Sequence, residues 1–157
     1  MKKAILLLGI AAFFSTAILL FLILRPKDSA DFVPPPHEDG AILGIPTPEE
    51  RYHYADGPTS DAFAIKFATA PILDDGAIVI YLTNPAENRA LLRFRIYCGE
   101  ELIAESGYLR PGEYLRALDA PNATAGQIRV KVMSYEEDTW YSLGAYTIAL
   151  PLSEGDA

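Results

Sequence analysis

The sequence LRFRIY at residues 92–97 decides the fold class, because apolar and polar side chains alternate along it without a break. Leu92, Phe94 and Ile96 fall on one side of an extended chain, and two arginines and a tyrosine fall on the other. A period of two residues is typical of a strand with one buried face. The stretch therefore predicts a β-strand in a sheet that packs on one side only.

Similar runs lie on both sides of this strand, and they extend the prediction to a whole domain. Short extended or alternating runs are found at residues 63–67, 78–82, 101–107, 113–118, 128–132 and 146–150. Turn sequences rich in Asp, Asn, Gly and Pro separate them. The pattern predicts an all-β domain over residues 41–151, an antiparallel β-sandwich of seven or eight short strands, immunoglobulin-like in the broad sense. A small barrel is the alternative, and residues 152–157 are expected to form a C-terminal tail.

The N-terminal part has a different character. From Ala4 to Leu24 the chain reads AILLLGIAAFFSTAILLFLIL, 21 residues without a charge. As a helix this stretch would be about 31 Å long, which matches the hydrocarbon core of a bilayer. We expect residues 1–24 to form a signal-anchor transmembrane helix. The alternative is a cleaved signal peptide, although the apolar run exceeds the usual length of such a segment.

The direction of the apolar run does not follow from its flanking charges alone. Lys2 and Lys3 precede it and Arg25 and Lys27 follow it, so the count of basic residues is close. Because the short N-terminal tail has nothing to translocate and a helix at the start of a chain is the usual export signal, we expect a single-pass protein of the cell membrane with its C-terminal domain outside. Residues 25–40, RPKDSADFVPPPHEDG, contain three successive prolines and favour an extended stalk between membrane and domain. A proline-recognition ligand is the other interpretation of this segment.

Composition excludes several classes of function. After residue 27 the chain has nine basic and 21 acidic residues, a balance of −12. This charge argues against a nucleic-acid partner, which needs clustered lysine and arginine. The single cysteine, Cys98, continues the apolar phase of the strand at residues 92–97, and we expect it to be a buried free thiol.

No set of residues with catalytic spacing is present in the sequence. The two histidines, His37 and His53, lie in the predicted stalk and its cover, away from any ligand pattern for zinc. Neither a nucleophile elbow nor a phosphate loop occurs. We therefore expect no enzyme activity, no cofactor and no metal site. Calcium binding by the acidic loops at residues 74–75 or 136–138 stays open.

Aromatic residues outside the apolar phase are the candidate binding residues: Tyr81, Tyr97, Trp140 and Tyr141. Tyrosine and tryptophan have an apolar ring and a polar group, which suits them to contacts with a partner or with sugar rings. The structural alternative is that Trp140 covers one end of the domain and the tyrosines cover the second sheet.

A resemblance accompanies this pattern. Asn84-Pro85, Asn88, the strand at residues 92–96, Ser106-Gly107, Pro111-Gly112 and Gly126 form a series of turns. In this series the chain resembles uncharacterised membrane-anchored β-sandwich proteins of Gram-positive, clostridia-like bacteria. Ile128 stands where that group often has tyrosine. The resemblance covers about a third of the chain, and it implies an anchored sandwich without catalytic residues.

These observations combine into one expected function. The chain is predicted to be a single-pass membrane-anchored extracytoplasmic β-sandwich that binds a protein partner, as an accessory subunit of an envelope complex. The alternative is a cell-surface glycan-binding module that uses the exposed tyrosine and tryptophan side chains.

Overall fold

The computed structural model describes residues 32–58 and 60–155. These residues form ten strands and one short 3-10 helix, Glu50–Tyr52. The strands are β1 (Ile42–Leu43), β2 (Tyr54–Asp56), β3 (Lys66–Ala68), β4 (Ile72–Asp74), β5 (Ala77–Asn84), β6 (Ala90–Cys98), β7 (Glu101–Leu109), β8 (Glu113–Asp119), β9 (Gly126–Glu136) and β10 (Ser142–Glu154).

The ten strands belong to one mixed sheet with the order β1-β8-β5-β4-β10-β9-β6-β7, to which β3 and β2 are attached through β5. Every strand pair is antiparallel except β10 with β4. Most of β10 pairs with β9, whereas Ser153 and Glu154 at its end pair with β4. We call β6, β7, β9 and β10 the long-strand half, and β1 to β5 with β8 the short-strand half.

One hydrophobic core contains side chains from both halves. Ile78, Ile80 and Leu82 of β5 belong to the same buried cluster as Phe94 of β6 and Val130 of β9. The sheet therefore curls so that both halves bury one face in a common interior. Val79 points away from this core, and a second small cluster buries it beneath Tyr52 and against Ala68.

The prediction of an all-β domain is confirmed, but the strand count of seven or eight is wrong. Ten strands are present, and four of them are 9 to 13 residues long. β1 and β2 lie at residues 41–60, where the sequence predicts a short edge strand or irregular cover, and β4 was not predicted. These strands have only two or three residues each, too few to show a period. The expected tail also differs, because β10 continues to Glu154 and Leu152 is buried.

The prediction of a buried Cys98 thiol is wrong, since Cys98 is an exposed free cysteine. Its position does continue the phase of Phe94 and Ile96, which are fully buried. However, Cys98 is the last residue of β6 and pairs with Glu101 across the hairpin turn. The period therefore gives the direction of this side chain but not its exposure at the end of the strand.

The predicted stalk differs from the structure in its C-terminal part. Residues 36–40, which we call the strap, lie along β7 and β8. Tyr108 N donates to Pro36 O, and Glu38 N donates to Tyr108 O, both at 3.0 Å. The imidazole of His37 contacts both carboxylate oxygens of Glu113 at 2.9 and 3.1 Å. The strap is therefore part of the folded domain.

The predicted transmembrane helix at residues 1–24 and the start of the stalk lie outside the described residues. Within residues 32–58 and 60–155, no helix has the length and apolar character needed to cross a membrane.

Candidate functional site

The four predicted binding residues do not form one site. Tyr97 lies opposite Arg129 near one end of the β6–β9 ladder, whereas Trp140 and Tyr141 follow Glu136 at the other end. Tyr81 belongs to β5, in the short-strand half. A continuous row of aromatic side chains is thus absent from the described part of the chain.

Two of these residues have an unusual backbone. Tyr81 has φ 53° and Trp140 has φ 59°, a region that bulky side chains rarely adopt. At Tyr81 the cause is a bulge, since the pairing of β5 with β8 shifts between Val79 and Leu82. The shift leaves Ile80 and Leu82 both fully buried in the core.

The rings of Tyr81 and Trp140 take part in packing within the domain. Tyr81 meets Tyr52 edge-on, with ring centroids 5.2 Å apart. Trp140 meets Tyr108 edge-on at 5.3 Å and lies 6.0 Å from Tyr135. Tyr141 is different, because 73% of its surface is exposed.

An apolar edge of the sheet is the first candidate surface, and sequence reasoning did not select it. β1 is the terminal strand in the sheet order and pairs only with β8 among the described strands. Leu43 and Ile45 are 81% and 83% exposed, and Ile42 is 44% exposed. Free sheet edges with exposed apolar side chains are sites where another strand adds. We call Ile42, Leu43 and Ile45 the apolar edge.

A pocket of about 140 Å³ adjoins the apolar edge. Ile45, Tyr54, Thr83, Pro85, Ala86 and Lys66 line it together with neighbouring backbone. On its wall the hydroxyl of Tyr54 donates to Thr83 Oγ1 at 2.7 Å. Burial raises the pKa of Tyr54, so this phenol stays a neutral donor at physiological pH. The pocket thus offers an apolar cavity with two charged residues of opposite sign, Lys66 and Glu87, in its lining.

A buried amide network supports the wall of the pocket. The Nδ2 group of Asn84, which is fully buried, donates to the carbonyl oxygens of Ala90 and Leu109, both at 2.9 Å. Asn88 Nδ2 donates to Asn84 Oδ1 at 2.6 Å and to Ala64 O at 2.7 Å. Ala64 N donates back to Asn88 Oδ1 at 2.9 Å. The Asn84-Pro85 and Asn88 positions therefore hold the loop over residues 85–88 and the segment before β3 together.

A groove beside Tyr97 is the second candidate surface. Tyr97, Glu100, Arg129, Lys131 and Thr147 line it, on the outer face of the long-strand half. The guanidinium of Arg129 lies 5.9 Å from the centroid of the Tyr97 ring. Of the predicted aromatic residues, Tyr97 is the one that the structure places in a polar, charged groove.

Acidic side chains and histidines do not converge in the described residues. No group of three or more His, Cys, Asp or Glu side chains with metal-binding geometry occurs there. The acidic loops at residues 74–75 and 136–138 are in different halves of the sheet.

Comparison with family models, curated proteins and solved structures finds no match to this chain.

Proposed function

We propose that this chain is a single-pass membrane-anchored extracytoplasmic β-sandwich that binds a protein partner, as an accessory subunit of an envelope complex. The apolar edge is the observation that carries the proposal. Leu43, on a strand whose outer side has no described partner, and Ile45, two residues beyond it, are more than 80% exposed. Because exposed apolar strand edges promote aggregation, a protein that retains one benefits from covering it with a partner.

The geometry of β1 favours addition of a strand. Gly44 N donates inward to Gly112 O at 2.8 Å. Successive residues of an edge strand direct their N–H groups to alternate sides, so the N–H of Leu43 points outward. A partner strand would pair with this group and place an apolar side chain in the adjoining pocket. The surplus of acidic residues favours a partner segment flanked by basic residues.

The uncharged run from Ala4 to Leu24 supports the membrane anchor. The curled sheet with one core between its halves supports the sandwich architecture. The resemblance to anchored proteins of Gram-positive bacteria points to the same arrangement. The sequence supplies no catalytic motif, and we propose binding as its activity.

Photo-crosslinking in native membranes tests the partner site. A photoreactive amino acid at Ile45 of the full chain should give one discrete adduct, whose partner peptide is extended and apolar. Leu43→Pro should abolish the adduct, because it removes the outward N–H while proline is tolerated on a free edge. The same photoreactive residue at Asn122, an exposed loop position, is the matched control.

Two results would contradict the partner site. One is an identical adduct pattern from positions 45 and 122. The other is an adduct from position 45 that Leu43→Pro leaves unchanged.

The exposed single cysteine allows a direct test of sidedness. Because Cys98 is exposed and is the chain's one cysteine, an impermeant maleimide should label the unmodified protein in intact cells. Labelling at the full-length mass supports an anchored domain outside the cell. Labelling only after lysis would place the domain in the cytoplasm, and loss of about two kilodaltons, which is about 17 residues, would show cleavage near Ala17.

A further inference from the structure

The outer face of the long-strand half is basic, although the chain as a whole is acidic. The register of β6 and β9 places Arg95 opposite Lys131 and Tyr97 opposite Arg129, with Arg93 next along the strand. These four basic residues are nearly half of the nine that follow residue 27. We call Arg93, Arg95, Arg129 and Lys131 the basic face.

Carboxylates neutralise the basic face only in part. Glu105 of β7 binds both Arg93 and Arg95. Glu100 binds Arg129 at 3.0 Å, but its side chain is 97% exposed. Lys131 forms no ion pair with any residue of the described chain. Two positive charges therefore exceed the carboxylates on this face, and the one at Lys131 is uncompensated.

Lys131 and Arg129 border the groove beside Tyr97. The groove has a volume of about 260 Å³, and the hydroxyl-bearing residues Tyr97 and Thr147 line it with the two cations. Thr147 pairs with Lys131 across β9 and β10, so both side chains leave the sheet at the same level. An ammonium, a guanidinium and two hydroxyl groups are the donors that phosphate and carboxylate oxygens accept from.

We propose that the groove beside Tyr97 binds a small ligand through a phosphate or carboxylate group. Lys131 supplies an unpaired charge, and Arg129 exchanges the exposed carboxylate of Glu100 for that of the ligand. The volume is below the roughly 300–1,000 Å³ of sites that enclose drug-sized molecules, which suits a sugar acid or a sugar phosphate. The site is in the opposite half from the apolar edge, so it does not depend on the protein partner.

Backbone amide chemical shifts provide the measurement. Tyr97, Arg129 and Lys131 line the groove and lie on the paired strands β6 and β9, so their ¹H–¹⁵N shifts report on it. The full chain in non-ionic detergent is titrated with inorganic phosphate, glucose 6-phosphate, glucuronate and glucose at constant ionic strength. A saturable shift with the anions and none with glucose is the expected result.

The same titration distinguishes the two sources of the anion. Equal affinity for inorganic phosphate and glucose 6-phosphate would assign the site to the free oxyanion. Tighter binding of the sugar derivatives would show that Tyr97 and Thr147 contact the sugar.

Two variants with opposite effects test the residues. Lys131→Met should weaken anion binding roughly tenfold, since a hydrogen bond to a charged group is lost. Glu100→Gln should strengthen it, because the carboxylate that competes for Arg129 is removed. Arg51→Met, which removes an exposed positive charge of the 3-10 helix outside the long-strand half, is the matched control and should leave binding unchanged.

Three outcomes would overturn the proposal. They are a shift that follows ionic strength alone, an equal loss of affinity in Lys131→Met and Arg51→Met, and no effect of Glu100→Gln in the predicted direction. Each of them would identify the basic face as an ordinary solvated surface.

Discussion

The two halves of the sheet are specified in different ways. The long-strand half has long ladders, and β6 and β9 stay in register over nine consecutive pairs from Ala90 to Cys98, although β7 and β10 each show register shifts against their neighbours. The short-strand half has four strands of two or three residues, a bulge in β5 and two left-handed residues, Tyr81 and Asp75, within or beside that strand. Long backbone ladders hold the first half together, and the second half relies more on side-chain hydrogen bonds.

Asn84 and Asn88 provide the side-chain hydrogen bonds of this kind. Between them they pair with the backbone of Ala90 and Leu109, in the adjacent strands β6 and β7, and of Ala64, in the segment before β3, which no ladder joins to those strands. Because the loops of this half do not depend on an uninterrupted ladder, they leave the apolar edge and its pocket open. The long-strand half instead presents an outer face that carries the groove beside Tyr97.

The largest expected effect is the loss of the Asn84 side chain. Asn84→Ala leaves two buried carbonyl groups and one donor of Asn88 without partners, each of which costs about 1–3 kcal/mol. We expect the free energy of unfolding to fall by about 3–5 kcal/mol, as much as for Phe94→Ala in the hydrophobic core. Urea unfolding followed by circular dichroism measures both variants.

Asn122→Ala is the control for this comparison, because Asn122 lies exposed in a loop. It should change the free energy of unfolding by less than about 0.5 kcal/mol. If Asn84→Ala cost no more than this control while Phe94→Ala unfolded the domain, the hydrogen bonds of Asn84 would not stabilise the short-strand half.

An intermediate effect is expected at Gly107, where the strap crosses β7. A Cβ atom at this position would lie 2.7 Å from Pro36 O and 2.8 Å from Glu38 N. Gly107→Ala should therefore displace the strap and lower the free energy of unfolding by about 1–3 kcal/mol. Hydrogen exchange should accelerate at the amides of Glu38 and Tyr108, which pair across this contact.

A double-mutant cycle tests whether the strap is the cause. His37 pairs with Glu113 only while the strap is docked, so His37→Ala should destabilise the wild type and have little further effect in Gly107→Ala. Additive effects, or unchanged exchange at Glu38, would show that the strap stays in place and that the cost arises within β7.

The sequence predicts the long-strand half better than the short-strand half for a physical reason. Alternation at residues 92–96 and 128–132 reports directly which side chains enter the core, and Phe94, Ile96 and Val130 are buried as expected. Strands of two residues have no period, and the bulge at Tyr81 depends on pairing with β8. Cys98 shows the limit of periodicity, which gives the direction of a side chain but not where its cover ends.

The sequence also predicts the groove beside Tyr97 better than it predicts the apolar edge. The period of its strand predicts that Tyr97 faces outward, and in the structure Tyr97 lines the groove. Arg129 and Lys131 alternate visibly in the sequence, but their closeness to Tyr97 depends on the register of β6 with β9. The apolar edge was not selected because the sequence predicts only a short edge strand or irregular cover at residues 41–60, and the exposure of Ile42, Leu43 and Ile45 follows from the sheet order.

The smallest effect is expected where the two halves meet, at Tyr146 of β10. Its ring stacks on Phe63 at a centroid distance of 5.2 Å, while its buried hydroxyl group has no partner in the described chain. Tyr146→Phe keeps the stacking and removes an unpaired polar group, so at neutral pH the free energy of unfolding should change by less than about 1 kcal/mol.

Alkaline pH should separate this variant from the wild type. Burial raises the pKa of Tyr146 to about 12 from 10.0, which means that the folded state keeps the proton after the unfolded state has lost it. The wild type should therefore lose stability as pH rises from 10 to 12, and Tyr146→Phe should lose less over that range. Tyr141→Phe, whose ring is exposed to solvent, should follow the wild-type curve. Parallel curves for all three proteins would mean that the hydroxyl of Tyr146 reaches water, and the contact between the halves would then be looser than the stacked rings indicate.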